Sequence, residues 1–386
     1  MKNLNRLFHL LVVLCLSAGL SGNLFVSTAQ ASSPALPGPA KPVCPGPVSL
    51  GNARCHAWAF PKANVVPGGL SPAAIKSAYN FPTSLTAGAG KTIAIVDAYD
   101  DPKAESDLGV FSSQFGLPAC TTANGCFKKV NQTGGTKYPK SNAGWALEIS
   151  LDVQWAHAIA PGAKILLVEA SNSSFTNLLA AEDYAKAHAQ YVSNSWGASE
   201  FSGESGYDSH FVQSGVSFFA SSGDSGEPAT YPSASPKLIS VGGTTLHFSN
   251  GTFSSETGWS SSGGGCSSYE TATSAQSGFS QYGQVNCGGK RATPDVSLDA
   301  DPNSGVAVYD TVRYNGQTGW FTVGGTSASS PMWAARSADA GAVVNAAYVY
   351  GNNITYRDIT SGNNGDSCLV GYDLVTGRGS WTGTTP

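Results

Sequence analysis

Lys91-Thr92-Ile93-Ala94-Ile95-Val96-Asp97 is a short apolar run that closes on an acid. A run this apolar predicts a parallel strand buried on both faces, with its polar residue at the carboxyl edge. Outward from it, strand and helix alternate. Asp101 to Phe115 predicts a helix, and Trp145 to Ile159 another, stopped by Pro161-Gly162. Lys164 to Glu169 reads as a second buried strand, Asn177 to His188 as a helix, and Tyr191 to Trp196 as a third strand. Val216 to Ala220 is a fourth strand, running into Ser222-Gly223-Asp224, and Leu238 to Val241 is a fifth. Upstream, Ser71 caps a helix over Leu70 to Tyr79, with Pro72 in the first turn where its missing N–H costs nothing. The alternation predicts an α/β domain with a doubly wound, mostly parallel sheet flanked by helices. Functional groups in such sheets gather at the carboxyl ends of strands, where Asp97, Trp196 and Asp224 all fall. Residues 249–323 are Ser/Gly-rich with β-like runs whose boundaries stay open, and there is no tandem repeat.

The bulk composition narrows the partners. Only 12% of the 386 residues are charged and the net charge is -4, so the clustered Lys and Arg that nucleic acid requires are missing. At 41% hydrophobic the chain has enough apolar surface to fold. Lys2 and Arg6, an apolar run from Leu7 to Leu20 and Ala29-Gln30-Ala31 read as a secretory signal over residues 1–31. The apolar run is too short to span a bilayer comfortably. The expected product is a soluble, extracellular monomer with no membrane contact. Residues 32–69 form a Pro/Gly-rich segment, mostly extended, that reads as a short or vestigial pro-region, and residues 70–386 hold the domain. Of eight cysteines, Cys15 leaves with the signal. Local spacing pairs Cys44 with Cys55, Cys120 with Cys126 and Cys266 with Cys287, and leaves Cys368 over.

Three acids and a serine carry the candidate chemistry. Gly324, Gly325 and Thr326 before Ser327 allow a sharp turn. A helix starting just after Ser327 aims its N-terminal N–H groups at a developing oxyanion. Read blandly, this is one more serine-rich cap. Glu148 and Asp152 stand four apart, and so on one helix face, among Trp145, Leu147, Ile149, Leu151, Val153 and Trp155. Surface acids are the usual explanation of such a pair, but these flanks are apolar. Two carboxylates ~3 Å apart at an effective dielectric of ~20 repel by about 5 kcal/mol, so the pair shares a proton and titrates as a unit. One member can then take a proton from a serine while the other steadies it. Asp224, between Gly223 and Gly226, is either an Asx turn or an oxyanion donor. The second role requires it protonated. None of the six histidines lies in a His-Gly-Thr turn, and His157, near the acid pair, reads as structural.

Together these segments resemble the sedolisin family, the serine-carboxyl peptidases of subtilisin-like fold. The resemblance rests on Glu148-Ile149-Ser150-Leu151-Asp152 with Ala158-Ile159-Ala160-Pro161-Gly162-Ala163, on Ser193-Asn194-Ser195-Trp196-Gly197, on Ser222-Gly223-Asp224 and on Gly325-Thr326-Ser327-Ala328, in that order. It implies Ser327 as nucleophile, Glu148 as general base and acid, Asp152 orienting Glu148, and Asp224 completing the oxyanion hole with the Ser327 N–H. Asp97 and Trp196 match positions that extend the hydrogen-bond network behind the acids. The resemblance also implies one structural calcium ion, held by the carboxylates of Asp358 and Asp373 and the carbonyls of Ile359, Leu369 and Gly371. Leu369 stands where the family has glycine. Two departures stand out: residues 32–69 are too few for the family's folded pro-domain, and the Ser327–Asp358 and Asp358–Asp373 stretches are shorter than usual. The expected function is an acid-acting endopeptidase of protein or peptide substrates. Its rivals are a conventional histidine-dependent subtilase and a secreted binding protein that keeps the fold without catalysis.

Overall fold

A computed structural model describes residues 38–383 apart from 47 and 352. The expected signal, residues 1–31, lies outside the described residues. The first quoted run forms the strand Thr92–Ala98, buried from Ile93 to Ala98. It lies inside a mostly parallel sheet. In order across that sheet run Phe127–Asn131, Lys164–Ala170, Thr92–Ala98, Tyr191–Asn194, Ser217–Ser221, Ile239–Ser249, Val296–Asp299, Ser380–Trp381 and Tyr356–Arg357. Neighbours pair in parallel as far as Ser380–Trp381. The chain enters at Thr92–Ala98, builds to one side, then crosses to Tyr191–Asn194 on the other. The crevice at that switch opens above Asp97 and Ser195.

The five expected strands are present, the fifth extended to Ser249. The strand Phe127–Asn131 escaped the sequence reading. Its Phe-Lys-Lys-Val-Asn is short, and its two lysines break the apolar run because it sits at the sheet edge. The predicted third strand is two strands: Tyr191–Asn194 stays in the sheet, and Trp196–Ser199 turns out of it to pair elsewhere.

Two buried helices bring the candidate residues to the crevice. The acid helix, Ala143–Ile159, begins where Asn142 Oδ1 accepts from the N–H groups of Gly144 and Trp145. Every residue from Trp145 to Ile159 is buried, so its acids have no solvated face to occupy. Gln154 clamps it to the strand Val306–Tyr314, donating to the Tyr309 carbonyl at 2.7 Å and accepting from the Tyr309 N–H at 2.9 Å. That strand pairs with Gln317–Gly324, which runs straight into the second helix, Thr326–Ala340. The Gln154 clamp therefore sets the height of the acids against the serine.

All three locally expected disulfides form, Cys44–Cys55, Cys120–Cys126 and Cys266–Cys287, and Cys368 is buried and unpaired. Residues 38–69 are more ordered than a linker. Arg54–Cys55 pairs antiparallel with Trp196–Ser199, and Trp58–Ala59 pairs antiparallel with Gln317–Gly324. No described helix is long and apolar enough to cross a membrane.

Candidate active site

Ser327 is the second residue of its helix, where sequence reading had placed it just ahead. The first four N–H groups of a helix have no partner within it, so this end offers donors. Gly325 makes the turn with φ +98°, a conformation that residues with side chains rarely adopt. A β-carbon there would collide with the His56 carbonyl oxygen and stand 2.9 Å from both Ala57 Cα and Asp224 Oδ2. Pro331, four residues after Ser327, has no N–H to give the Ser327 carbonyl. The Ser195 hydroxyl takes that place at 3.4 Å, and Ser327 Oγ in turn reaches the Ser195 carbonyl at 3.4 Å. Ser330 against Ser193 (2.8 Å) and Ser329 to the Leu298 carbonyl (3.0 Å) pin the helix start to the sheet.

Glu148 lies beside the Ser327 hydroxyl and the Ala57 N–H, and Asp152 beside the Ser195 hydroxyl, all of which favour the charged carboxylate. Yet no oxygen of Glu148, Asp152 or Asp97 completes a hydrogen bond among the described residues, and all three side chains are fully buried. Burial therefore dominates. It pushes Glu148 well above its ordinary range, with the charge of Asp152 adding to the effect. Asp152 moves the same way through burial. Asp97 is raised by burial, then by Asp152, Glu148 and Glu169.

Asp224 reaches the serine's turn from the end of Ser217–Ser221. Its Oδ1 accepts from the Thr326 N–H and hydroxyl, each at 2.8 Å, while Oδ2 is buried without a partner. Burial pushes its pKa up to about 7 against the pull of those Thr326 bonds. Below that it carries a proton it can donate. Asp97, Glu148, Asp152, Asp224 and Ser327 thus lie in one place.

Trp196 does not join the acids: its indole N–H goes to the Val96 carbonyl at 2.9 Å, bracing the strand end that carries Asp97. The reading missed Glu169, which faces Asp97 across the strand pair. Burial lifts it to about 9 although Lys129 Nζ stands 3.7 Å away. An acid closing a buried strand beside another such strand was the available signal. Thr326 was also missed.

The histidines sort cleanly. His157 Nε2 meets the Pro118 carbonyl at 2.9 Å, and His188, His210 and His247 bond Tyr184, Asp183 and Thr257. His9 lies outside the described residues. His56 was not singled out from the sequence. It enters the crevice from the N-terminal segment, with Nδ1 2.8 Å from Ser221 Oγ, and burial pushes its pKa down to about 3. Its ring serves Ser221 rather than Ser327.

The expected calcium ligands also converge in part. Both Asp358 oxygens accept from the Gly371 N–H at 3.0 Å, and Asp373 Oδ2 accepts from the Leu369 N–H at 3.0 Å. Both carboxylates thus grip the same turn, and Ile359 follows Asp358 directly. Two carboxylates and backbone carbonyls are the all-oxygen set a hard cation accepts. The turn presents the Leu369 and Gly371 N–H groups to the two acids.

Residues 135–359 match the model of the subtilase family. Kumamolisin of Bacillus sp. (strain MN-32) is 31% identical over 362 residues, covering 82% of this chain and 63% of the relative. Xanthomonalisin of Xanthomonas sp. (strain T-22) is 29% identical over 379 residues, covering 78% and 44%. The chain spans less than two thirds of the length of these curated relatives. The solved structure of a Pseudomonas sedolisin, a serine-carboxyl proteinase complexed with two molecules of pseudo-iodotyrostatin, superposes with a TM-score of 0.68 at 28% identity, covering 82% of this chain and 96% of that one. The chain belongs to the subtilase family, and within it is similar to kumamolisin, xanthomonalisin and the Pseudomonas sedolisin.

Proposed function

We propose that this chain is a secreted serine-carboxyl endopeptidase that hydrolyses protein or peptide substrates at acid pH, acting as a monomer with neither nucleic acid nor membrane as partner. One observation carries the reading: three buried acids and a serine meet, and no histidine ring among the described residues bonds the serine. Glu148 takes the Ser327 proton as Ser327 Oγ attacks the substrate carbonyl. Asp152 shares charge with Glu148 and keeps the pair at one proton. Asp224 Oδ2, protonated below about 7, donates to the developing oxyanion beside the N–H groups of the helix start. Glu148 returns its proton to the leaving nitrogen, and water releases the acyl-enzyme by the same route. The three disulfides support an oxidising compartment, and residues 1–31 would be the signal that leads there.

Casein digestion at about pH 4 and at pH 8, for the parent and Ser327→Ala, tests this. The parent is expected to digest at the acid pH alone, because Asp224 loses the proton it donates as pH rises through about 7. Ser327→Ala is expected to lose at least ~10³-fold. Undiminished parent activity at pH 8 with no acid optimum defeats the reading.

One calcium ion belongs to the same proposal, held by Asp358, Ile359, Leu369, Gly371 and Asp373. Its contribution is to stability. At a hundredfold excess over Kd, ligand binding contributes about 2.7 kcal/mol, so EDTA is expected to lower Tm by several degrees in the parent and not in Asp373→Asn. An unchanged Tm together with no metal in elemental analysis removes the ion from the proposal.

A further inference from the structure

Five residues other than glycine take a positive φ among the described residues. Four are asparagines, Asn80, Asn250, Asn286 and Asn315, whose short amide tolerates the left-handed region. The fifth is Tyr99, at φ +65°. A bulky side chain is strained in that conformation, and glycine is the residue that adopts it freely. Tyr99 follows directly on the strand Thr92–Ala98, at the carboxyl end where the crevice opens.

The surrounding chain imposes the conformation. The Tyr99 N–H donates to the Ala170 carbonyl at 2.8 Å, the Asp100 N–H to the Lys140 carbonyl at 3.1 Å, and the Asp101 N–H to Glu169 Oε1 at 3.0 Å. Three successive N–H groups are thus pinned by neighbours, and glycine at 99 would take the same path without strain. The fold requires the turn and not the ring. Strained residues of this kind cluster at active sites and ligand clamps.

The turn carries the ring to the acid helix. Its centroid lies 6.3 Å from the Trp145 ring, tilted by 48°, and this is the one ring contact of Tyr99 among the described residues. Trp145 is buried and stands three residues before Glu148, so the two share a helix face. Both rings line a cavity of about 1070 Å³. Half-buried Tyr99 makes its wall and Trp145 its floor.

We propose that Tyr99 is a specificity-determining residue that, with Trp145, receives an aromatic or large aliphatic side chain of the peptide substrate close to the bond that is cut. The proposal rests on the serine-carboxyl reading above and names its substrate class. Two rings meeting at an angle leave an apolar corner. A third ring entering it gains edge-to-face contact besides the area it buries. Glycine or a charged side chain gains neither. Because the corner shares a helix face with Glu148, a side chain seated there also fixes the register of the peptide against Ser327.

The test is cleavage of a proteome-derived peptide mixture at acid pH by the parent, Tyr99→Phe and Tyr99→Gly, with cut sites read by mass spectrometry. It is followed by kcat and KM on two peptides that differ only by Phe or Gly at the preferred position. The parent's cut sites are expected to be enriched in Phe, Tyr, Trp, Leu or Met at one position near the cut. The Phe-over-Gly ratio of kcat/KM is expected to fall at least ~10-fold in Tyr99→Gly and to persist in Tyr99→Phe. In the Ser327→Ala background, Tyr99→Gly is expected to melt at or above the temperature of its parent, because strain is relieved. Cutting without apolar preference, or a ratio unchanged in Tyr99→Gly, overturns this proposal and leaves the peptidase reading standing. A Tyr99→Gly protein that melts several degrees lower shows that the ring serves the fold, and overturns it too. A parent that cuts nothing defeats the peptidase reading itself, and this proposal with it.

Discussion

Glu148→Gln is expected to lower kcat on a protein substrate by about 10³-fold, with KM little changed and the fold intact. General acid–base transfer by a positioned side chain is worth ~10²–10⁴-fold, and Glu148 is asked to move the proton in both halves of the reaction. Gln keeps the volume and cannot accept a proton. The Ser327 hydroxyl is then left with the Ser195 carbonyl at 3.4 Å, too weak a base to help. The substitution also removes a buried, unpartnered carboxyl that repels Asp152. Tm at neutral pH is therefore expected to equal or exceed the parent's, which separates lost chemistry from lost structure. His157→Asn is the control. Its ring bonds Pro118, away from the serine, so kcat is expected to stay within about twofold. Loss of activity in His157→Asn with retention in Glu148→Gln would favour a histidine-dependent enzyme.

Much of this site was legible because its signals are local. Two acids four apart amid Trp145, Leu147, Ile149, Leu151 and Val153 cannot both find solvent, and the helix is buried from Trp145 to Ile159. The strand Thr92–Ala98 was readable because it is buried on both faces. What escaped depends on contacts distant in sequence. Glu169 matters only because the register sets it opposite Asp97. Thr326 matters because Asp224, about a hundred residues earlier, needs its N–H. Residues 38–69 read as linker by their prolines and glycines, yet their order comes from two edges supplied by Trp196–Ser199 and Gln317–Gly324. No periodicity within the segment announces edges that the rest of the chain provides.

Buried acids give the second large effect: Ser327→Ala, chosen so that digestion does not confuse the measurement, is expected to melt at least ~10 °C higher at pH 4 than at pH 8. Burial lifts Asp224 and Asp101 to about 7, Glu182 and Asp310 to about 8, and Glu169 to about 9. The unfolded values lie near 4. Between about 4 and 9 the native state holds protons that the unfolded chain has released, so stability falls as pH rises through this window. The contribution is complete below about 4 and is lost as each folded pKa is passed. Two histidines pull the other way. Burial depresses His56, to about 3, and His157, so both cost stability as pH falls below about 6.5. Five carboxyls, with Glu148, Asp152 and Asp97 raised as well, outnumber them. One pKa unit is about 1.4 kcal/mol, and even after heavy discounting for relaxation the acids leave a net of several kcal/mol. At ~2–4 °C per kcal/mol for a domain of up to 250 residues, and somewhat less here, that is a shift on the order of 10 °C. A flat or inverted Tm profile would mean that these carboxyls are ionised in the native state, and the proton-holding interior on which the acid mechanism depends would fall with it.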